Sequence, residues 1–257
     1  MSVAIVSFNT LALLRVVCGA VRETAPGADL LVIDTGSMDG SRAWAAARPW
    51  CRLELLDHVS PGPAAHAAAL DLALARARRP FLVTLDSDAI PIDPCWLDAL
   101  AEALGGAAGC GTTKDPGELP WPRRLLLRAG LLRLEGPEWS YIRPNCALWR
   151  VEALRRLGLS FGGGRVGEAL ARGLARAGEG VIAIPPGRMA RFVLHLRHAT
   201  MALNPALFQE APRRALRAAR RRIEAFLATP LAERYAEIAE ATARRAPAGS
   251  PPRSPFS

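Results

Sequence analysis

A chain of 257 residues, 50% of them hydrophobic, can bury a substantial core in one large domain or two small ones, which excludes a disulfide-stapled miniprotein and a disordered chain. Arg15, Arg22, Arg42 and Arg48 cut the N-terminal half into short apolar pieces, so no run reaches the roughly 18–20 residues of a bilayer span. The net charge of +9 is almost wholly arginine, Lys114 being the single lysine, and ten arginines against five glutamates from Pro205 onward form a basic tail suited to phosphate on a nucleotide, nucleic acid or lipid surface.

The opening Met1-Ser2-Val3-Ala4 has neither a basic leader nor a cleavage site, so a cytoplasmic protein is expected. An apolar, β-branched run predicts a buried strand over 3–8, and a second follows over 30–33. Between them Leu13, Leu14, Val17 and Val21 have the spacing of an amphipathic helix over 11–24, which Pro26-Gly27 ends. A turn-rich loop over 34–41 leads to a helical stretch around 42–47, a third strand over 53–56 and, after Pro61-Gly62-Pro63, an alanine-rich helix over 66–78. A fourth strand over 81–85 runs into Asp86-Ser87-Asp88. This alternation predicts an α/β sheet, mostly parallel, with helices on both faces. The glycine-, proline- and tryptophan-rich segment 105–144 reads as a long loop region lining a site. Helices are expected over 147–157 and 166–177, joined by Phe161-Gly162-Gly163-Gly164, with strands over 181–184 and 192–196 and one or two helices over 205–245. The last twelve residues, 246–257, hold four prolines and are expected to be disordered. Five widely spaced cysteines without a C-x-x-C pair (Cys18, Cys51, Cys95, Cys110, Cys146) suggest neither disulfides nor a thiolate zinc site and are expected as small buried hydrophobes.

The sharpest chemical signal is Asp86-Ser87-Asp88 at the C-terminal end of a buried strand, the edge where open α/β sheets bind ligands. Alternate side chains of an extended segment point the same way, so both carboxylates can approach one divalent cation, which prefers hard oxygen ligands together with phosphate oxygens. An ordinary acidic turn is the equal alternative. The loop Asp34-Thr35-Gly36-Ser37-Met38-Asp39 follows another strand and lies on the same edge, where Asp34 can accept hydrogen bonds from a base or ribose. Asp39 and Ser41 serve equally well as a cap for the next helix.

Four segments resemble, in order, the nucleotide-sugar glycosyltransferases of the GT-A fold, in particular glycosyltransferase family 2: the opening strand Ala4 to Asn9, the loop Val32 to Ser41, the helix Ala65 to Ala75 and the D-x-D at Asp86 to Asp88. The resemblance covers about the first hundred residues. It implies that Ser7 and Asn9 flank the nucleotide base, that Asp34 contacts it, that Asp86 touches the ribose or metal and that Asp88 holds a Mn²⁺ or Mg²⁺ ion on the diphosphate. His66 stands roughly where family members put a polar residue near the donor, and His195 is the favoured late histidine for the metal. His195 and His198 would point to opposite faces if one strand ran through both. The second half departs from the family: the acidic pair that supplies the acceptor's general base is missing, and Glu168 is the only carboxylate nearby, either as base or as a helix-dipole partner. Of the aromatic residues Trp121, Trp139, Tyr141 and Trp149, Trp139 is the expected acceptor contact.

The implied layout is a donor-binding half over 1–104, an acceptor-side half of the same domain over 105–204, a basic helical extension over 205–245 and a disordered tail over 246–257. The implied activity is metal-dependent, inverting transfer of a sugar from a nucleotide-diphosphate sugar to a glycan, lipid-linked sugar or protein hydroxyl. Alternatives are a catalytically degenerate nucleotide-binding module and a haloacid-dehalogenase-like phosphatase; the latter wants a lysine and a later acidic pair, and Lys114 stands in a loop-like context. Nucleic acid is not an expected partner, because the acidic strand ends would repel phosphate. Arg213, Arg217, Arg220 and Arg221 share a helical face opposite the stripe Leu216, Ile223, Phe226 and Leu227, either as a solvated face or as a peripheral contact with the inner face of an anionic membrane.

Overall fold

The structure is a computed structural model that describes residues 1–56, 62–114, 116, 119, 121–133 and 141–241. The apolar N-terminal runs become β1 (Ser2–Ser7) and β2 (Asp29–Asp34), joined by α1 (Leu11–Thr24); α2 (Ser41–Ala46), β3 (Arg52–Leu55), α3 (Pro63–Arg76) and β4 (Phe81–Asp86) follow. β5 (Ala89–Pro91), α4 (Trp96–Leu104), β6 (Gly109–Thr112), α5 (Trp121–Arg128), β7 (Cys146–Arg150), α6 (Val151–Arg156) and α7 (Glu168–Arg176) form the middle of the chain. The last third holds β8 (Val181–Ile184), α8 (Pro186–Met189), β9 (Val193–His195), α9 (Ala199–Leu203), α10 (Arg213–Leu227) and α11 (Pro230–Glu240).

Seven strands make one mixed sheet in the order β3-β2-β1-β4-β7-β6-β8, and β5 pairs with β9 in a two-stranded sheet. β1, β2, β3 and β4 are parallel, while β7 runs antiparallel to both β4 and β6. The register sets Ser7 against Asp34 and Val6 against Asp86, so the polar ends of three strands meet at one edge. Alternation along each strand divides the core in two. Val3, Ile5, Val32 and Val83 face α1, α4, α10 and α11, whereas Ala4, Leu31 and Leu82 face α3, α6 and α7.

Two segments depart from the expectation. The 105–144 region contains β6 and α5, and the start of the expected 147–157 helix is β7, buried in the sheet centre. A run such as Cys146-Ala147-Leu148-Trp149 fits a buried strand or a buried helix, and pairing decides. β6 hides in a glycine-rich stretch for a steric reason. A Cβ on Gly109 would lie 2.6 Å from the Trp149 ring and one on Gly111 2.7 Å from Ala147 Cβ, so only glycine lets the two strands pack. Cys18, Cys110 and Cys146 are buried as expected, Cys51 is half-buried, and Cys95 is exposed at the start of α4.

The basic C-terminal stretch is integrated into the core. α10 buries Leu216, Ala219, Ile223 and Phe226, and α11 lies against α1 so closely that a Cβ on Gly19 would stand 1.8 Å from the Tyr235 carbonyl oxygen. The expected tail over 246–257 lies outside the described residues.

Candidate active site

Asp86 ends β4 half-buried, and Asp88 follows at 6% exposure. The short β5–β9 ladder pairs Ala89 with His195 and so carries His195 to Asp88, with Nε2 3.3 Å from Asp88 Oδ1. The chain after β9 closes over the same carboxylate: Leu196 N–H donates to the Asp88 carbonyl at 2.9 Å and Ala199 N–H to Asp88 Oδ2 at 3.0 Å. Arg197 and His198 both adopt left-handed backbone (φ 63° and 61°), an unfavourable conformation for non-glycine residues of the kind that concentrates at functional sites. β9 ends at His195, and this turn brings His198 to the same cavity; the two histidines therefore do not point apart. The loop is braced from α10, where the Arg222 guanidinium donates to the Leu196 carbonyl through Nε at 3.2 Å and Nη2 at 3.1 Å.

On the other side, His66 in the first turn of α3 holds Nε2 3.3 Å from Asp86 Oδ1. Burial lowers the basicity of His66, but the charge and hydrogen bond of Asp86 and the charge of Asp88 together outweigh it, and its pKa lies above the ordinary histidine value. His195 behaves alike: burial opposes protonation, and the bond and charge of Asp88 raise the pKa on balance. For Asp88, burial favours the neutral acid, while His195 and the Ala199 N–H hold the pKa below the usual carboxylate range. His195 Nδ1 meets the Asn145 side-chain amide at 3.1 Å, and Asn145 also accepts the Asp86 N–H through its carbonyl at 3.0 Å. An amide can present either its N–H₂ or its oxygen to the ring, so Asn145 can support either imidazole tautomer.

Asp34, 1% exposed, ends β2; its Oδ1 accepts the N–H groups of Gly36 at 3.1 Å and Ser37 at 2.9 Å. Its Oδ2 and the hydroxyl of fully buried Ser7 have no hydrogen-bond partner among the described residues. Buried polar atoms are seldom left so, and these two stand at one register position of the sheet edge. Asn9 instead shapes the loop, accepting Met38 N–H at 2.7 Å and donating its own N–H to Ser37 Oγ at 2.9 Å. Asp39 caps: Oδ1 accepts the Ser41 N–H at 3.0 Å and Oδ2 the Leu11 N–H at 2.8 Å.

A cavity of about 430 Å³ opens at this edge of the sheet, lined by His66, Asp86, Asp88, His195 and His198, together with Tyr141, Arg143, Asn145, Arg165 and Arg197; Ser7, Asn9 and Asp34 are not among its lining residues. Tyr141 belongs to the aromatic group considered for the acceptor, and the other four carry no local motif that sequence reading could single out as site residues. Glu168 does not line the cavity; its carboxylate pairs with Arg172 one turn along α7. Trp139, the expected acceptor contact, lies outside the described residues.

Asp86, Asp88 and His195 each offer a ligand atom, and all three lie within 4.8 Å of one another. Two carboxylate oxygens and an imidazole nitrogen suit a divalent cation that accepts mixed O/N ligation. The family model for glycosyl transferase family 2 matches residues 2–158, more than half of the chain. The chain belongs to glycosyl transferase family 2. This glycosyltransferase has no match among curated proteins, and membership of the family sets aside the phosphatase alternative. Its fold is shared with a mannosyltransferase from Pyrobaculum calidifontis solved with GDP-mannose and Mn²⁺ (21% identity, TM-score 0.52, 93% of this chain and 73% of that one). It is shared too with glucosyl-3-phosphoglycerate synthase from Mycobacterium tuberculosis solved with Mn²⁺ and UDP-glucose (22% identity, TM-score 0.54, 88% and 77%). Among the described residues no helix is long and apolar enough to cross a membrane.

Proposed function

We propose that this glycosyltransferase moves a sugar from a nucleoside-diphosphate sugar to an acceptor hydroxyl, with Mn²⁺ or Mg²⁺ held by Asp86, Asp88 and His195 and with inversion at the anomeric carbon. The observation that carries the reading is the convergence of those three side chains at the strand edge where Ser7 and Asp34 keep unpartnered buried atoms. The complexes of the two relatives with nucleotide sugars and Mn²⁺ support it.

In this reading Ser7 Oγ and Asp34 Oδ2 take the polar groups of the nucleoside, and the Gly36 and Ser37 N–H bonds fix the Asp34 carboxylate for that contact. Asn9 holds the loop that carries them. The cation, when bound, supplies positive charge against the departing diphosphate. His66 keeps Asp86 oriented and adds a proton-bearing ring beside the leaving group. Asn145 fixes the His195 ring, and Arg222 holds the loop whose N–H groups anchor Asp88.

Inversion requires a base on the acceptor side. Glu168 takes that role as the only carboxylate near the place of the family's missing acidic pair, two residues beyond Val166, which lines the cavity, and it would have to leave its pair with Arg172 to do so. Glu168→Gln should then lower turnover about 100-fold or more while donor affinity stays unchanged. Full activity in that variant would remove the assignment. The decisive experiment for the whole reading is a thermal-shift panel of UDP-, GDP-, dTDP- and CDP-sugars with and without Mn²⁺, followed by product analysis with the stabilising donor. Binding without any transfer or hydrolysis would return the degenerate binding module; no metal-dependent donor binding would sink the proposal.

A further inference from the structure

α5 has no buried residue. Helices of this length normally persist by burying an apolar face, because isolated short helices are marginal in water. Its formation rests on local signals instead. Pro122 stands in the first turn, and Gly130, at φ 71°, closes the C-terminus in a Schellman arrangement, with Leu131 N–H on the Leu126 carbonyl at 2.9 Å and Gly130 N–H on the Leu127 carbonyl at 3.1 Å. At a turn of about 100° per residue, Trp121, Pro122, Leu125, Leu126 and Ala129 fall within one arc, Arg123 and Arg128 flank it, and half-buried Arg124 and Leu127 lie opposite. Trp121 is 67% exposed, Leu125 52%, Leu126 43% and the following Leu131 76%, half of the large exposed hydrophobic residues of the described chain. Arg133 adds a fourth cation, and residues 121–133 contain no aspartate or glutamate.

A protein partner matched to this surface would have to cover the apolar face and supply several acidic groups beside it. An anionic bilayer offers both at once: acyl chains below the headgroups for Trp121 and the leucines, and lipid phosphates at the level of the arginines. The position of the helix adds a functional argument. The connection that carries it leaves β6 at Thr112 and returns at Tyr141, and both ends are tied to the cavity rim: Arg143 N–H donates to the Thr112 carbonyl at 2.7 Å, and Thr112 Oγ1 lies 3.4 Å from Asn145 Oδ1. Tyr141, Arg143 and Asn145 line the cavity.

We infer that α5 and the residues following it to Arg133 form an interfacial helix that docks this protein on an anionic lipid bilayer by the same edge of the sheet that holds the cavity. The α10 arginine face is a different kind of surface: its apolar side is already occupied by the core, so it contributes charge without insertion.

The test uses the full chain, without nucleotide or metal, so its outcome stands apart from the donor-binding proposal. Sedimentation is measured with vesicles of phosphatidylcholine alone and of phosphatidylcholine mixed with phosphatidylglycerol, at low and physiological salt. Binding is expected to the anionic vesicles, falling with salt. Arg123→Gln/Arg128→Gln should weaken it roughly 25-fold, at about fivefold for each arginine. Leu125→Glu/Leu126→Glu should abolish it while circular dichroism and thermal stability stay unchanged, since neither leucine is buried. Trp121→Phe should keep binding but lose the vesicle-induced blue shift of tryptophan emission. Equal partitioning of all α5 variants and the unaltered chain would overturn the inference. So would a loss confined to an Arg213/Arg217/Arg220/Arg221→Gln variant, or a dimer in solution that dissociates in Leu125→Glu/Leu126→Glu without any vesicle binding.

Discussion

Asp88→Asn separates the charge of the aspartate from its architecture. The asparagine keeps an oxygen for the Ala199 N–H, which the native Oδ2 accepts at 3.0 Å, and keeps the main-chain bond from Leu196. It loses the negative charge facing His195 at 3.3 Å. A charged hydrogen bond at a buried site is worth about 2 kcal/mol, so Tm should fall by roughly 4–8 °C for a chain of this size. The effect on metal is larger. Removing a ligand should cost more than about 100-fold in Mn²⁺ affinity, since even the groups that merely orient ligands are worth 10–100-fold. In differential scanning fluorimetry, Mn²⁺ at about 100 times its Kd should stabilise the native chain by about 2.7 kcal/mol, a rise of roughly 5–10 °C, and leave Asp88→Asn unmoved. Asp98→Asn, at an exposed acid of α4, is the control. Equal Mn²⁺ shifts in Asp88→Asn and the native chain would refute the assignment of Asp88 as a ligand, and an Asp88→Asn chain that loses its cooperative melt would show that the architecture had failed instead.

The same pair sets a pH dependence. Because the folded pKa of His195 is raised and that of Asp88 lowered, the Asp88–His195 ion pair stabilises the metal-free protein fully between about pH 4 and pH 6.5, the unfolded carboxylate and histidine values, and that stabilisation is lost as pH rises through the folded His195 pKa or falls through that of Asp88. Mn²⁺ needs the neutral imidazole, so its affinity should rise over that window by up to about tenfold per pH unit, and calorimetry on His195→Gln should show that slope removed. Asp34→Ala should weaken free nucleotide and nucleotide sugar alike by about tenfold or more, because Oδ2 would face the nucleoside; unchanged nucleotide affinity in calorimetry would leave Asp34 as the organiser of its own turn. Gly19→Ala should lower stability by about 3 kcal/mol or more in denaturant unfolding, since the new methyl would stand 1.8 Å from the Tyr235 carbonyl oxygen and α11 would have to leave α1.

Much of the N-terminal half is legible in the order of its residues. Buried parallel strands write themselves as short apolar runs, so β1, β2 and β4 fall within two residues of expectation, and α1 spans the expected 11–24 because its apolar spacing and its Pro26-Gly27 stop agree. The two acidic loops belong to one edge for the same reason: parallel strands that carry polar residues at their ends must align those ends. Local chemistry, periodicity and turn residues suffice there, because each signal lies within a few residues of the structure it specifies.

The rest depends on contacts between distant segments. β7 reads as a helix in sequence because an apolar run of that length is ambiguous until β4 and β6 flank it, and β6 reads as loop because its glycines answer to Trp149 and Ala147, which lie elsewhere in the chain. The Asp86–Asp88–His195 group is the sharpest case. Asp88 and Ala199, 111 residues apart, are joined by one hydrogen bond, and His195 reaches Asp88 only because a three-residue ladder between β5 and β9 sets the register. The sequence names Asp86 and Asp88 as candidates because carboxylates at a strand end are a local chemical fact, and His195 through the family resemblance. Only the tertiary structure decides that they converge, that a left-handed turn brings His198 to the lining of the same cavity and that Ser7 and Asp34 keep unpartnered atoms at paired register positions, since none of these is encoded in any window of neighbouring residues.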